Sequence, residues 1–237
     1  MNGSDLKKEF GDYQTPNQFA ETICSLLYNE LKLNPEVVIE PTSGLGNFIK
    51  AALNTFSTIK KIVGVEINPE YCDECKKRIS DDRLHIVNDN FFTYKIEKYV
   101  GETETLFLGN PPWATNSELN FNLPEKENFK RLSGTDAITG ASNFDICEYI
   151  ILKLIEKSVN KNVAIAMLCK TSVARNVLLE LDRNDVCVDD LRIYNFDSSK
   201  VFGISAPACL LYIKMSTSKF EDSIPFFISC PISSVYP

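Results

Sequence analysis

Two consecutive prolines, Pro111 and Pro112, directly follow the apolar run Leu106-Phe107-Leu108-Gly109. Proline lacks a backbone N–H and fixes φ, so an interior strand must end where the pair begins. The apolar run therefore reads as a buried strand. Asn110-Pro111-Pro112-Trp113 reads as a rigid, open turn at its carboxyl end, with an amide and an indole side by side. In an open α/β sheet that edge is where ligands bind. An amide oxygen accepts hydrogen bonds and an indole offers a flat stacking face. The pair suits a planar substrate carrying an exocyclic NH2 group.

Around this turn, short β-type runs alternate with helical segments, which predicts a doubly wound α/β sheet. Strands are expected at Val37–Glu40, Lys61–Ile67, Leu84–Val87, Thr105–Leu108, Val163–Leu168, Leu191–Phe196 and Ala208–Met215. Thr15-Pro16 opens an amphipathic helix to about Leu31, with Phe19, Ile23, Leu26, Leu27 and Leu31 on one face. Further helices are expected over Leu45–Phe56, Pro69–Ile79, Phe144–Ile155 and Ser172–Leu181. No helix is apparent between the last two strands, which suggests a terminal hairpin. Residues 114–142 break the rhythm: they are polar and lack periodicity, as in a functional lid, a binding loop or disorder. The tail, 216–237, has one apolar run, Pro225-Phe226-Phe227-Ile228, with no evident place in the fold. With no repeat or linker, 1–237 reads as a single domain.

The chain has 237 residues, 44% hydrophobic and 24% charged, enough to bury a full core. It has no apolar stretch approaching the roughly 18 residues that span a membrane, and no signal-peptide core at its amino terminus. Its eight cysteines are scattered through apolar patterns, as free thiols are in a reducing, cytoplasmic setting. Cys72 and Cys75 form the one close pair and His85 is the sole histidine, so no metal site is expected. The net charge of −7 and pI near 4.9 argue against a chain that grips nucleic acid by overall charge.

Between the first strand and its helix lies Glu40-Pro41-Thr42-Ser43-Gly44-Leu45-Gly46-Asn47-Phe48. Glycines there admit a ligand close to the backbone, and the helix amino terminus adds donors. Glu66 ends the second strand, where a carboxylate can accept both hydroxyls of a ribose. A dinucleotide fingerprint would place glycine at position 49, which is Ile49. Glu40 would also repel a pyrophosphate, whereas it suits a cationic, amine-bearing ligand such as S-adenosylmethionine. Asp89, after the third strand, can accept from an adenine amino group, with Phe91 or Phe92 near enough in sequence to pack on its ring.

Together these residues resemble the class I amino-methyltransferases, specifically N6-adenine DNA methyltransferases of the gamma class. The resemblance runs from about Gly11 to Met215. Asn110-Pro111-Pro112-Trp113 is similar to the catalytic motif, Glu40 to Phe48 to the cofactor loop, and Thr15-Pro16 to the amino-terminal cofactor motif. Val201-Phe202-Gly203 resembles the segment that supplies a second aromatic, with Trp113, against a flipped base. The resemblance implies a Rossmann-like fold with a seven-stranded, mostly parallel sheet and a terminal antiparallel hairpin. It implies S-adenosyl-L-methionine held by Thr15, Glu40, Pro41, Thr42, Gly44 and Gly46, by Glu66 and Ile67, by Asp89, Asn90 and Phe91, and by Asn110. The loop departs from the frequent family pattern, having Glu-Pro-Thr-Ser-Gly-Leu-Gly where Asp-Pro-Ala-Cys-Gly-Ser-Gly is common.

The implied chemistry is transfer of a methyl group to adenine N6 in DNA, within a restriction–modification system. The Asn110 oxygen and the Pro111 carbonyl hold the amino group while positioning and electrostatics supply the rate. The base must first be flipped out of the duplex. Lys126, Lys130 and Arg131 interleave with Glu118, Glu125 and Glu127, so the long loop is not a standing basic patch. With about twenty residues after the last strand, no target-recognition domain is expected within the chain, and DNA specificity is expected from a partner subunit or a domain outside it. Other readings are methylation of RNA adenine or a protein glutamine amide, a non-catalytic subunit of the same fold, and a nicotinamide-dependent oxidoreductase.

Overall fold

The computed structural model describes residues 13–101, 103–114, 145–217 and 227–231, the last of these as backbone. Expectations for the long polar loop, including its charged residues, lie outside the described residues apart from Ala114. Those for Phe144, for Pro225 and Phe226, and for most of the tail lie outside them too.

Eight strands form one sheet: β1 (Val37–Glu40), β2 (Lys61–Glu66), β3 (Leu84–Asn88), β4 (Thr105–Gly109), β5 (Val163–Lys170), β6 (Val188–Phe196), β7 (Ala208–Met215) and β8 (Phe227–Pro231). Their spatial order is β3-β2-β1-β4-β5-β7-β6-β8. β1 to β5 are parallel, and β7 lies antiparallel between β5 and β6. The seven expected strands are present. The tail adds an eighth, pairing parallel with β6 from Leu191↔Phe227 to Asn195↔Pro231. Phe227-Ile228 is legible in the sequence only as an apolar run, because an edge strand of five residues is fixed by pairing rather than by its own period.

The helices are α1 (Asn17–Asn29), α2 (Asn47–Thr55), α3 (Pro69–Arg78), α4 (Ile146–Ser158), α5 (Thr171–Arg183) and α6 (Ser198–Phe202), with a 3-10 turn at Ile96–Tyr99. α1 starts after Pro16 and buries Phe19, Ala20, Ile23, Cys24, Leu26 and Leu27, the spacing of one helix face. The Asn68 side chain caps α3, and Asp145 caps α4, each accepting from the N–H two residues on. α6 corrects the expectation of a helix-free link between β6 and β7. At five residues, capped by Asp197 and stopped by left-handed Gly203, it is too short to show a hydrophobic period.

All five residues of β4, and all of β5 except Lys170, are buried, as befits parallel strands covered on both faces. Register aligns Ile39 with Phe107, Gly109 with Met167, and Glu66 with Asn88. The carboxyl ends of β1, β2, β3 and β4 therefore open on the same edge. Strand order reverses between β1 and β4, the point at which open α/β sheets bind ligands.

Candidate active site

The turn after β1 is shaped by a carboxylate from the neighbouring strand. Glu66 accepts the Gly44 N–H on Oε2 at 2.7 Å and the Asn68 N–H on Oε1 at 2.8 Å. Ser43 N donates to the Val65 carbonyl at 2.9 Å. The glycines allow the path: Gly44 and Gly46 have φ of 50° and 77°, and a Cβ on Gly46 would collide with the Cys75 sulfur. Glu66, expected to receive ribose hydroxyls, thus also builds the loop. A carboxylate oxygen carries two lone pairs and can accept more than one donor, so the two roles are compatible.

Glu40, at the end of β1, is 4% exposed, and its Oε2 has no hydrogen-bond partner. Burial first, and the charge of Glu66 second, push its carboxyl well above the usual range, while the Ile49 N–H pulls the other way. No ion pair among the described residues includes it. Thr42 Oγ1 and Ser43 Oγ are also buried without partners. Orphaned acceptors are costly inside a protein unless a ligand completes them. A cation with amine or hydroxyl donors fits this set, and S-adenosylmethionine carries both. Pro41 is buried in the same turn.

Asn110 follows β4 on the strand beside Glu40; a Cβ on Gly109 would lie 3.4 Å from Glu40 Cγ. Asn110 Nδ2 donates to the Tyr13 carbonyl at 2.8 Å, and Oδ1 is buried without a partner. A carbonyl only accepts, so this bond fixes which end of the amide is the nitrogen. The expected acceptor atom is therefore presented. Pro111 is buried and Pro112 half-buried.

Trp113 is not displayed on an open turn. It is 5% exposed, its indole N–H reaches the Leu168 carbonyl at 3.4 Å, and its ring lies 5.4 Å from Phe202 and 6.1 Å from Tyr13. Phe202, on α6, is half-buried and also neighbours Phe19 and Phe196. The two residues expected to stack on a base are thus brought together, within an aromatic cluster that also contains Tyr13.

The third rim is looser. Ile67 is 59% exposed beyond β2. Asn88 Nδ2 holds the Glu66 and Ile67 carbonyls at 2.9 and 3.0 Å. Asp89 is exposed and accepts the Asn90 N–H, while Asn90 Oδ1 accepts from Phe92 N. Phe91 is 5% exposed and belongs to the core; Phe92 is half-buried against Tyr149. The exposed apolar surface at this rim is Ile67.

Thr15 is buried and its carbonyl accepts from Asn47 Nδ2 at 2.7 Å. Its two preceding neighbours border the candidate site though no motif points to them: the Tyr13 carbonyl accepts from the Asn110 amide, and Gln14 Oε1 accepts the Leu45 N–H at 3.2 Å. Their only sequence signal is adjacency to Thr15-Pro16. Cys72 and Cys75 are buried thiols with raised pKa, and among the described residues no group of three or more His, Cys, Asp or Glu is placed to hold a metal ion.

The sheet order is that of the class I, S-adenosylmethionine-dependent methyltransferase fold. The same fold is found in the type I restriction–modification methyltransferase subunit of Streptococcus thermophilus, at TM-score 0.61 and 14% identity, covering 92% of this chain and 47% of that one. A Listeria monocytogenes protein assigned to the class I S-adenosylmethionine-dependent methyltransferases matches with TM-score 0.61 and 12% identity, over 94% of this chain and 68% of its own. Residues 1–226 match the N-6 DNA Methylase family, and the chain belongs to that family. It is 40% identical over 222 residues to the Type II methyltransferase M.NspV of Nostoc sp. (strain ATCC 29411 / PCC 7524), covering 90% of this chain and 46% of the relative. The modification methylase CviBIII of Paramecium bursaria Chlorella virus NC1A matches over 46% of this chain and 28% of its own, at 24% identity. The chain thus spans less than half the length of these relatives. Among the described residues no helix is long and apolar enough to cross a membrane.

Proposed function

We propose that the chain methylates the N6 amino group of adenine in DNA, using S-adenosylmethionine, as the modification activity of a restriction–modification system in the cytoplasm. The observation that carries this reading is the Asn110 amide, tethered through its nitrogen to Tyr13 so that a buried, unpartnered oxygen is left to accept. When bound, the cofactor supplies an electrophilic methyl group on a sulfonium. Glu40, giving up its proton as the cofactor binds, would meet the positive charge, Glu66 would accept the ribose hydroxyls, and Ile67 and Asp89 would face the adenine. The Asn110 oxygen and the Pro111 carbonyl accept the two N6 hydrogens of the target base and draw the nitrogen lone pair out of conjugation. With the lone pair so aimed, an N–CH3 bond would form as the C–S bond of the sulfonium breaks, leaving its electron pair on sulfur as a neutral thioether, and the extra N6 proton would pass to solvent. Preformed acceptors in a water-poor site lower the barrier without reorganising.

Trp113 and Phe202 are the aromatic surface for the extruded base, with Tyr13 beside them. Sequence choice is assigned to protein outside this chain, a specificity subunit or a further domain. The net charge of −7 supports that assignment, because phosphate neutralisation dominates unassisted DNA binding. The test is labelled-methyl transfer to unmethylated DNA, RNA and total protein, with and without the products of adjacent genes. N6-methyladenine in the DNA arm is the expected product. Label confined to RNA or protein overturns the substrate, and tight, specific methylation by the chain alone at physiological salt overturns the assignment of specificity elsewhere.

A further inference from the structure

Three consecutive residues ahead of α1 touch both halves of the site. The Tyr13 carbonyl holds Asn110 Nδ2 at 2.8 Å, Gln14 Oε1 holds Leu45 N at 3.2 Å, and the Thr15 carbonyl holds Asn47 Nδ2 at 2.7 Å. Arg78 braces the far side of the same turn, with Nη1 on the Leu45 carbonyl and Nη2 on Asn47 Oδ1, both at 3.0 Å. Gln14 lies directly on the glycine turn: a Cβ at Gly44 would sit 2.6 Å from its Oε1 and 2.8 Å from its Nε2. The loop that faces the cofactor and the amide that faces the base are thus tied to adjacent residues of a single extended segment.

We propose that Gln14 is a positioning residue that couples the glycine turn to the orientation of Asn110 through the Tyr13 carbonyl. The proposal rests on the methyl-transfer reading above. The two ends of a primary amide are almost isosteric, and only hydrogen bonding distinguishes them. For Asn110 the group that distinguishes them is the Tyr13 carbonyl. If that carbonyl withdraws, rotation about the last side-chain bond puts an NH2 donor where the acceptor oxygen belongs, and a donor facing an amino group repels it. Gln14 sets the carbonyl's position, because Tyr13 and Gln14 share a rigid peptide plane. Its grip on Leu45 in turn depends on the turn's shape, so closure of the turn and alignment of the amide are one event.

The test compares Gln14→Met, which keeps length but removes the acceptor, with Gln14→Glu, which restores an acceptor oxygen; Gln14→Ala replaces the former if methionine impairs folding. The Asn110 side-chain NH2 resonances, identified by their loss in Asn110→Asp, report orientation without cofactor or activity. Gln14→Met is expected to speed their hydrogen exchange by about tenfold or more, as for opening of a tethered group, and Gln14→Glu to restore protection. Single-turnover methyl transfer at saturating cofactor and DNA is expected to fall about ten- to a hundredfold in Gln14→Met. It should fall little further in the Asn110→Asp background, where there is no NH2 to hold. Unchanged NH2 exchange, or an equal rate loss in both backgrounds, overturns the coupling. If the parent chain and its partners methylate no DNA, the functional reading fails, while the NH2 exchange still decides the coupling.

Discussion

The side-chain amide of Asn110 donates to the backbone carbonyl of Tyr13 at 2.8 Å, across 97 residues of sequence, leaving Oδ1 buried and without a partner. Replacing Asn110 separates the two ends of this group. Asn110→Ala is expected to abolish methyl transfer, by about a hundredfold or more, as when an oriented acceptor is lost from a preorganised site. Cofactor binding, measured by calorimetry, is expected to change by less than about tenfold, or 1.4 kcal/mol. A cofactor affinity that collapses with the rate refutes the assignment of Asn110 to the base.

Glu40 is a buried carboxyl raised above its ordinary value of 4.5, first by burial and then by Glu66. Its proton is held more tightly in the folded chain than in the unfolded one. Its contribution to stability is therefore largest below pH 4.5 and declines as pH rises toward the folded value. Glu40→Gln removes that slope. In melts without cofactor, the variant should gain on the parent as pH increases above 4.5, while its affinity for S-adenosylmethionine falls. Parallel melting curves at every pH would show that Glu40 is not held protonated.

Gly46 and Gly203 share a left-handed backbone, with φ of 77° and 70°, but differ in what surrounds them. A Cβ at Gly46 meets Cys75 and Ile79, whereas a Cβ at Gly203 meets nothing within 4 Å. Gly203→Ala should cost only the backbone term, about 1–2 kcal/mol. Gly46→Ala should cost more than this by urea denaturation and should also weaken cofactor binding. Equal midpoints for the two variants would contradict the packing of the turn on α3.

Trp113 is the sole tryptophan, and it is 5% exposed. Its emission is expected to be blue-shifted without DNA, and Trp113→Ala to cost about 3–5 kcal/mol, as for deletion of a buried aromatic. Trp113→Phe should recover most of that stability while losing the indole bond to Leu168. If Trp113 also contacts the extruded base, DNA carrying the target will shift the emission, and DNA lacking it will not. Solvent-like emission from the free protein would contradict the aromatic cluster.

The element order, the strand-ending role of Pro111-Pro112 and the placement of Glu40, Glu66 and Asn110 at strand carboxyl ends are legible in the amino-acid sequence. Each rests on residues a few positions apart: apolar period, proline stereochemistry, glycine in a turn. The eighth strand is not legible there, because Phe227–Pro231 draws its place from pairing with β6. α6 leaves no sequence period because it is a single capped turn. Phe91, in line for the adenine, is 5% exposed within the core, and Ile67 is exposed.

Sequence alone determined that an amide follows a buried strand and that a glycine turn with two acidic neighbours lies upstream, because local chain stereochemistry imposes both. Only the tertiary structure decided which atom of that amide is presented, and that Glu66 holds the Gly44 N–H across 22 residues. It also decided that the tryptophan of the motif is packed under Tyr13 and Phe202 rather than standing open. These outcomes depend on groups distant in sequence meeting at a few ångströms, where burial makes every unpaired donor or acceptor costly. The Asn-Pro-Pro-Trp turn is thus an acceptor aimed by a residue that no local pattern connects to it.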